Sequence, residues 1–219
     1  MKIIFCLPGR EFTNNFLVSW TNLITELPNH NIQWGLSQKY SVNRYFVCNS
    51  CLGGDSLGGK NQKPFQGKVD YDYIMWIDSD QVFNPDHFLK LLKRAQDTKV
   101  DILSGLYLMQ GGTYFATVED WNLDFFKKNG HFQFLTPKDI EGRKDIFPVS
   151  YTGFGWLLVK KGVFESLDYP WVQPTWLEIG DVKEMTTTDC AFMHRAAEKG
   201  FKTYIDPTIV VGHEKHMIL

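Results

Sequence analysis

Tyr73-Ile74-Met75-Trp76-Ile77-Asp78-Ser79-Asp80-Gln81-Val82-Phe83 is a short apolar run that ends on two aspartates. Bounded by polar residues and rich in large side chains, it predicts a strand buried on both faces of a sheet. Asp78 and Asp80 then stand at its carboxyl end, the edge at which open α/β sheets bind ligands. Side chains two apart on extended backbone point the same way, so both carboxylates can address one cation or one phosphate-bearing ligand. A helix follows: Asn84 as N-cap, Pro85 at the first helical position, Asp86 in the first turn, then Phe88, Leu91, Leu92 and Ala95 on one face. The plainer alternative is that two aspartates simply make a turn before that helix.

Upstream, residues 2–7 predict a first buried strand that delivers Pro8, Gly9 and Arg10 to the same edge. Residues 12–27 keep helical spacing until Pro28. Residues 32–36 predict a second strand, and a helix from Val42 to about Leu52 carries Asn43 and Arg44 at its start. Unpaired amides and a guanidinium converging there suit a diphosphate, while a solvated surface charge explains Arg44 equally well. Gly54 to Asn61 nearly spells a P-loop, but Asn61 replaces the required hydroxyl residue and Pro64 denies it a helix, so a flexible surface loop is expected.

Downstream, residues 100–108 predict another buried strand. The aromatic segments 114–126 and 131–135, joined across Asn129-Gly130, predict a hairpin excursion. Gly153 and Gly155 precede a strand beginning at Trp156, and they serve either a ligand's close approach or unusual dihedrals. Residues 169–185 lack periodicity and predict a mobile loop beside the site. Thr188 is expected to cap a helix opened by Asp189 and stopped by Gly200. Residues 201–205 and 209–211 predict two strands separated by a turn at Asp206-Pro207, the second presenting Gly212-His213.

The chain of 219 residues is long enough for one substantial core and is read as one α/β domain, 1–219, with halves of about 1–108 and 109–219. A formal charge of -2 and no basic run exclude a nucleic-acid polymer as partner. No stretch approaches a membrane span, which by default predicts a cytoplasmic protein. The four cysteines are scattered, so reduced thiols are expected, and Cys48-x-x-Cys51 reads as small buried side chains rather than half of a zinc site. Seven tryptophans exceed what the core needs, and some are expected to face a ligand, as sugars stack on such rings.

Four segments in order resemble the GT-A glycosyltransferases of the family-2-like kind: Leu7-Pro8-Gly9-Arg10, Asp78-Ser79-Asp80, Thr152-Gly153-Phe154-Gly155, and Thr188-Asp189 with the helix after it, followed by Gly200 to Pro207 leading into Gly212-His213. The resemblance implies a single Rossmann-like domain with a mostly parallel central sheet flanked by helices. It implies transfer of a sugar from a UDP- or GDP-sugar to the hydroxyl of a carbohydrate or other acceptor, with inversion. Pro8, Gly9, Arg10, Asn43, Arg44, Asp78, Ser79 and Asp80 would bind the donor; Gly153, Phe154, Gly155, Trp156 and Trp176 would bind the acceptor. Asp80, His213 and Asp78 would hold a divalent metal, manganese rather than magnesium because of the imidazole. Asp189 would be the general base, although many relatives carry Glu-Asp where this chain has Thr188-Asp189.

Two alternatives stand beside this. The Asp78 run also resembles the first motif of haloacid-dehalogenase-type phosphatases, in which Asp78 would be a nucleophile. The chain can also be a sugar- or nucleotide-binding module that transfers nothing.

Overall fold

The computed structural model describes residues 1–215. In chain order its elements are β1 (Lys2–Pro8), α1 (Asn14–Glu26), β2 (Gln33–Lys39), α2 (Arg44–Cys51), β3 (Tyr73–Ile77), β4 (Gln81–Val82), α3 (Pro85–Thr98), β5 (Ile102–Leu106), β6 (Thr117–Val118), α4 (Leu123–Asn129), α5 (Pro137–Ile140), β7 (Phe147–Val149), β8 (Tyr151–Thr152), β9 (Trp156–Lys160), β10 (Trp176–Ile179), β11 (Val182–Met185), α6 (Thr188–Glu198), β12 (Thr203–Val210) and β13 (Gly212–His213).

Seven strands form one sheet in the order β2-β1-β3-β9-β5-β12-β7. Every residue of β3 is buried, as an unbroken apolar run demands. Alternate side chains then divide between two cores. Phe5, Met75, Ile77 and Leu103 pack under α1 and α3, whose Phe16, Leu23, Phe88 and Leu91 are buried against them. Cys6, Ile74, Trp76 and Leu157 face the other way, onto α2 and α6 through Cys48, Cys51, Phe192 and Met193. The helix after the acidic strand is capped reciprocally: His87 N donates to Asn84 Oδ1 (3.1 Å) and Asn84 N to His87 Nδ1 (3.3 Å). No helix among the described residues is long and apolar enough to cross a membrane.

The sheet is mixed: β2, β1, β3, β5 and β12 run one way, and β9 and β7 run against them. β1 runs parallel to β2 and β3, and β5 to β12, whereas β9 is antiparallel to both β3 and β5, and β7 to β12. The reason is where β9 starts: Trp156 pairs with Ile77, so β9 enters from the carboxyl edge of β3 and must run back.

The expected hairpin around Asn129-Gly130 is absent. Residues there form α4, and Gly130 takes the left-handed conformation (φ 74°) that ends a helix, the other common use of a glycine after Asn. β6 pairs instead with β8. The hairpin lies at β10 and β11, within the stretch expected to be a mobile loop. Asp206-Pro207 is no turn either: β12 runs through it, and a register shift between Ile205 and Val210 absorbs the proline. Thr187, not Thr188, caps α6, its side chain accepting from Cys190 N, while Thr188 is buried. The P-loop-like segment is a set of turns pinned by the buried Gln62, whose Nε2 donates to Asp55 O and Gly59 O, both at 2.7 Å. All four cysteines are free and buried. Burial above all pushes the Cys48 and Cys51 thiols up to about 12.

Candidate functional site

β3 ends at Ile77, and the chain folds over so that Asp78 N donates to Gly155 O (3.1 Å) and Gln81 N to Asp78 O (3.1 Å). β4 then pairs with β13, which sets His213 opposite Gln81 and brings the last described residues onto the acidic corner. His213 Nε2 lies 3.3 Å from Asp80 Oδ2, and Lys215 Nζ 2.5 Å from the same oxygen. Burial alone would raise the Asp80 carboxyl, but His213 and Lys215 outweigh it and hold it down at about 2. Asp78 turns elsewhere, to Arg44 Nη1 at 2.7 Å.

The three expected metal ligands are therefore not gathered. Among the described residues no three His, Cys, Asp or Glu side chains cluster for a metal ion. Asp80 and His213 are together; Asp78 is held by Arg44. His213 Nδ1 lies 2.7 Å from Leu108 O, a pure acceptor, so Nδ1 carries a hydrogen and Nε2 is the nitrogen turned toward Asp80. His213 Nε2 and Lys215 Nζ thus meet at one oxygen of Asp80, the Oδ2 atom.

Of the other expected donor contacts, Pro8, Ser79 and Arg44 line the same cleft of about 430 Å³ with Asp78 and Asp80. Gly9 lies under Ser79: a Cβ there would come 2.8 Å from Ser79 Cβ, so only glycine lets the two turns touch. Asn43 caps α2, accepting from Tyr45 N (2.8 Å). Arg10 is exposed and stands over the Tyr40 ring, 5.4 Å from its centroid.

Asp189 opens α6, where the helix dipole favours negative charge. Tyr151 donates its hydroxyl to Oδ2 (3.2 Å), and Thr187 Oγ1 and Cys190 N (3.1 Å) donate to Oδ1. Burial and then Asp189 push the Tyr151 phenol well up, so it stays a donor. Between the two acidic regions lies the buried Tyr107, whose phenol is raised first by burial and then by the fields of Asp78 and Asp189. Gly155 N donates to its Oη (3.1 Å), and its ring meets His213 edge to face, centroids 5.1 Å apart.

Tyr107 also explains the paired glycines. A Cβ on Gly153 would lie 2.1 Å from Tyr107 Oη, and one on Gly155 2.7 Å from Tyr107 Cζ. They clear space for a tyrosine, not for an acceptor. Phe154 and Trp156, expected to touch the acceptor, are 1% and 0% exposed and belong to the core. Trp176 is exposed on β10 with Lys183 Nζ 5.7 Å from its ring centroid. Trp76 and Trp171 are fully buried, whereas Trp121 lines a second cavity beside Thr187 and Tyr151. Tyr107, Tyr151 and Lys215 carry no sequence motif that marks them. Gln81 is fully buried with neither amide atom hydrogen-bonded among the described residues, and its Nε2 would lie 2.8 Å from a Cβ on Gly155.

Residues 66–167 match the family model described as glycosyl transferase family 2. That span holds Asp78, Asp80 and the Gly153 turn and stops short of Asp189 and His213. No curated protein matches the chain. Among solved structures, A197 from STIV is similar at 16% identity and TM-score 0.60, over 99% of this chain and 87% of that one. The fold is GT-A-like. GalNAc-T7, solved with UDP, GalNAc and Mn2+, is similar at 10% identity and TM-score 0.58, over 99% of this chain, which spans 44% of that one. The catalytic domain of Drosophila β1,4-galactosyltransferase 7, in complex with xylobiose, is similar at 13% identity and TM-score 0.50, over 98% of this chain and 71% of that one.

Proposed function

We propose that the protein is a metal-dependent glycosyltransferase that moves a sugar from a nucleoside-diphosphate donor to an acceptor hydroxyl. The observation that carries the reading is a carboxylate–imidazole pair, Asp80 and His213, at the carboxyl edge of β3, with a third carboxylate, Asp189, within Coulombic reach of the same tyrosine as Asp78. Its support is the fold shared with structures solved with UDP and manganese, together with the family match across the acidic corner.

Asp80 and His213 would hold the metal, with the donor's phosphate oxygens completing its shell, since two protein ligands plus substrate phosphates is an ordinary way to hold such an ion. Imidazole among oxygens favours manganese over magnesium. Bound there, the metal would supply charge neutralisation for the leaving diphosphate. Arg44, one third exposed and paired to Asp78, lies at the start of α2, where its guanidinium can also meet a phosphate. Asp189, oriented by Tyr151 and Thr187, would accept the proton of the acceptor hydroxyl as it attacks the anomeric carbon from the face opposite the leaving group. In this reading the donor binds largely to the first half of the chain and the acceptor to the second.

Calorimetric titration with UDP and with GDP, in manganese and in chelator, tests the donor half. Binding is expected only with metal, and Asp80→Ala and His213→Ala are each expected to weaken it by about tenfold or more. Equal binding in chelator by wild type and variants would remove the metal role. The phosphatase alternative makes the opposite forecast: a trapped phosphate ester on Asp78 and hydrolysis of p-nitrophenyl phosphate. The Asp78–Arg44 pair disfavours it, because a guanidinium on Asp78 Oδ1 stabilises the carboxylate and makes it a weaker nucleophile.

A further inference from the structure

We propose that the acceptor carries a compact apolar group, of the size of one ring, next to the hydroxyl that receives the sugar, and that this group is held in the cavity beside Asp189. The inference rests on the transferase reading for the role of Asp189 and adds the class of acceptor.

The cavity measures about 140 Å³. An apolar cavity of roughly 150 Å³ is known to admit benzene, so one six-membered ring fits. Its walls are Val118, Trp121, Phe132, Phe134, Leu177 and Met185, gathered from β6, the segment around α4 and the β10–β11 hairpin. Trp121 and Phe132 meet at 62° with centroids 4.8 Å apart, presenting both an edge and a face to a guest ring. The floor is made by Tyr151, Thr187 and Cys190, the residues whose hydroxyls and amide hold Asp189. Asp189 lies directly behind that floor, so a group seated here sits one side chain away from the proposed base.

What separates an apolar ring from a bare sugar ring is the state of the polar groups in the lining. The Tyr151 and Thr187 hydroxyls donate to Asp189. The Thr186 hydroxyl donates to Thr175 O and accepts from Thr175 N, both at 2.9 Å. Glu184, at the exposed mouth, accepts from Met185 N through Oε1 (3.0 Å). A pyranose in this space would bury its hydroxyls against aromatic carbon with almost nothing to pair them, which is costly. An aryl or compact cycloalkyl group brings no hydroxyl to leave unpaired and gains contact with the aromatic and aliphatic walls. The acceptor class is thus a hydroxyl compound bearing such a group, as in an aryl glycoside.

The test is binding of phenyl β-D-glucopyranoside, methyl β-D-glucopyranoside and phenol, followed by ligand-observed NMR and tryptophan fluorescence, in the presence of UDP and manganese. Phenyl glucoside is expected to bind at least about tenfold more tightly than methyl glucoside, and phenol to compete with it. Trp121→Ala should lose that preference, and Met185→Ala, a change at the exposed mouth, should reduce it if the first variant fails to fold. Equal affinity for the phenyl and methyl compounds while UDP still binds would overturn the apolar acceptor site alone. So would a phenyl preference indifferent to both variants. A phenyl preference in a protein that binds no nucleotide would instead sink the transferase reading and, with it, the acceptor role of the cavity.

Discussion

The acidic corner and the aromatic wall hold their shapes by opposite means. In the corner, Asp78 and Asp80 are paired with Arg44, His213 and Lys215 in the turn that follows β3, beside the β4–β13 pair. In the wall, Trp121, Phe132, Phe134 and Tyr151 meet ring against ring on short elements, and an exposed ion pair, Lys127 to Asp181 (2.7 Å), ties α4 to the β10–β11 turn. Directional, charge-assisted contacts fix atoms and suit a ligand whose charge is always the same, such as a diphosphate. Area contacts fix volume and suit a ligand chosen by shape. Asp189 belongs to both: Tyr151 of the wall orients it, while its field reaches Tyr107 and Arg44 of the corner.

The largest effect expected comes from breaking that join. Asp189→Asn keeps an acceptor for Cys190 N and nearly the same shape, so fold and donor affinity should survive. Turnover should fall by about 100- to 10,000-fold, the usual contribution of a positioned general base. Steady-state kinetics beside nucleotide titration checks it. Loss of donor binding would make Asp189 structural. Full activity would move the base to Glu178 or Asp181, which are exposed on the hairpin and already paired to Lys183 and Lys127.

A smaller effect tests the seam between the regions. Gly153→Ala and Gly155→Ala both press on Tyr107, and overpacking a buried site costs about 1–3 kcal/mol, read as a fall in thermal midpoint of roughly 2–4 °C per kcal/mol in a chain of this size. The two differ in what they strike. The Gly153 Cβ meets the hydroxyl, the Gly155 Cβ the ring. Tyr107→Phe should therefore relieve the first substitution and leave the second, and a double-mutant cycle without that asymmetry would reject the packing account.

The corner was legible in the sequence because it is contiguous. Five apolar residues and two aspartates lie along one strand end, and the cap residues that follow dictate α3. The burial of β1 and β3 was equally plain from their unbroken apolar runs. The wall was not legible, since its residues come from four separate segments and their aromatic alternation fits a hairpin as well as it fits a helix flanked by loops. Asn129-Gly130 misled for a physical reason: a left-handed glycine ends helices and turns hairpins alike, and only the partner strand decides. The direction of β9 was hidden because a buried strand has the same composition whichever way it runs. Phe154 and Trp156, expected at the acceptor, lie in the core, since a motif gives neighbourhood and not side-chain direction. Tyr107 stands at the end of β5 with nothing local to mark it, and only Gly153 and Gly155, read as space for another side chain, hinted at a buried partner.

The smallest effect separates the regions by acid. Asp80 is lowered in the folded protein from its ordinary 3.8 to about 2, so its partners contribute stability that is fully present above the ordinary value and is lost as pH falls through the folded one. At 27% side-chain exposure the contribution, discounted for solvent, is about 1 kcal/mol. Asp80→Asn should thus lower the urea midpoint in chelator near neutral pH and converge on the wild type toward about pH 2. Trp121→Ala removes area and no charge, and should cost nearly the same at both ends of that range. If the Asp80→Asn deficit stayed constant with pH, its carboxylate would be holding shape and not charge, and the corner would differ from the wall only in composition.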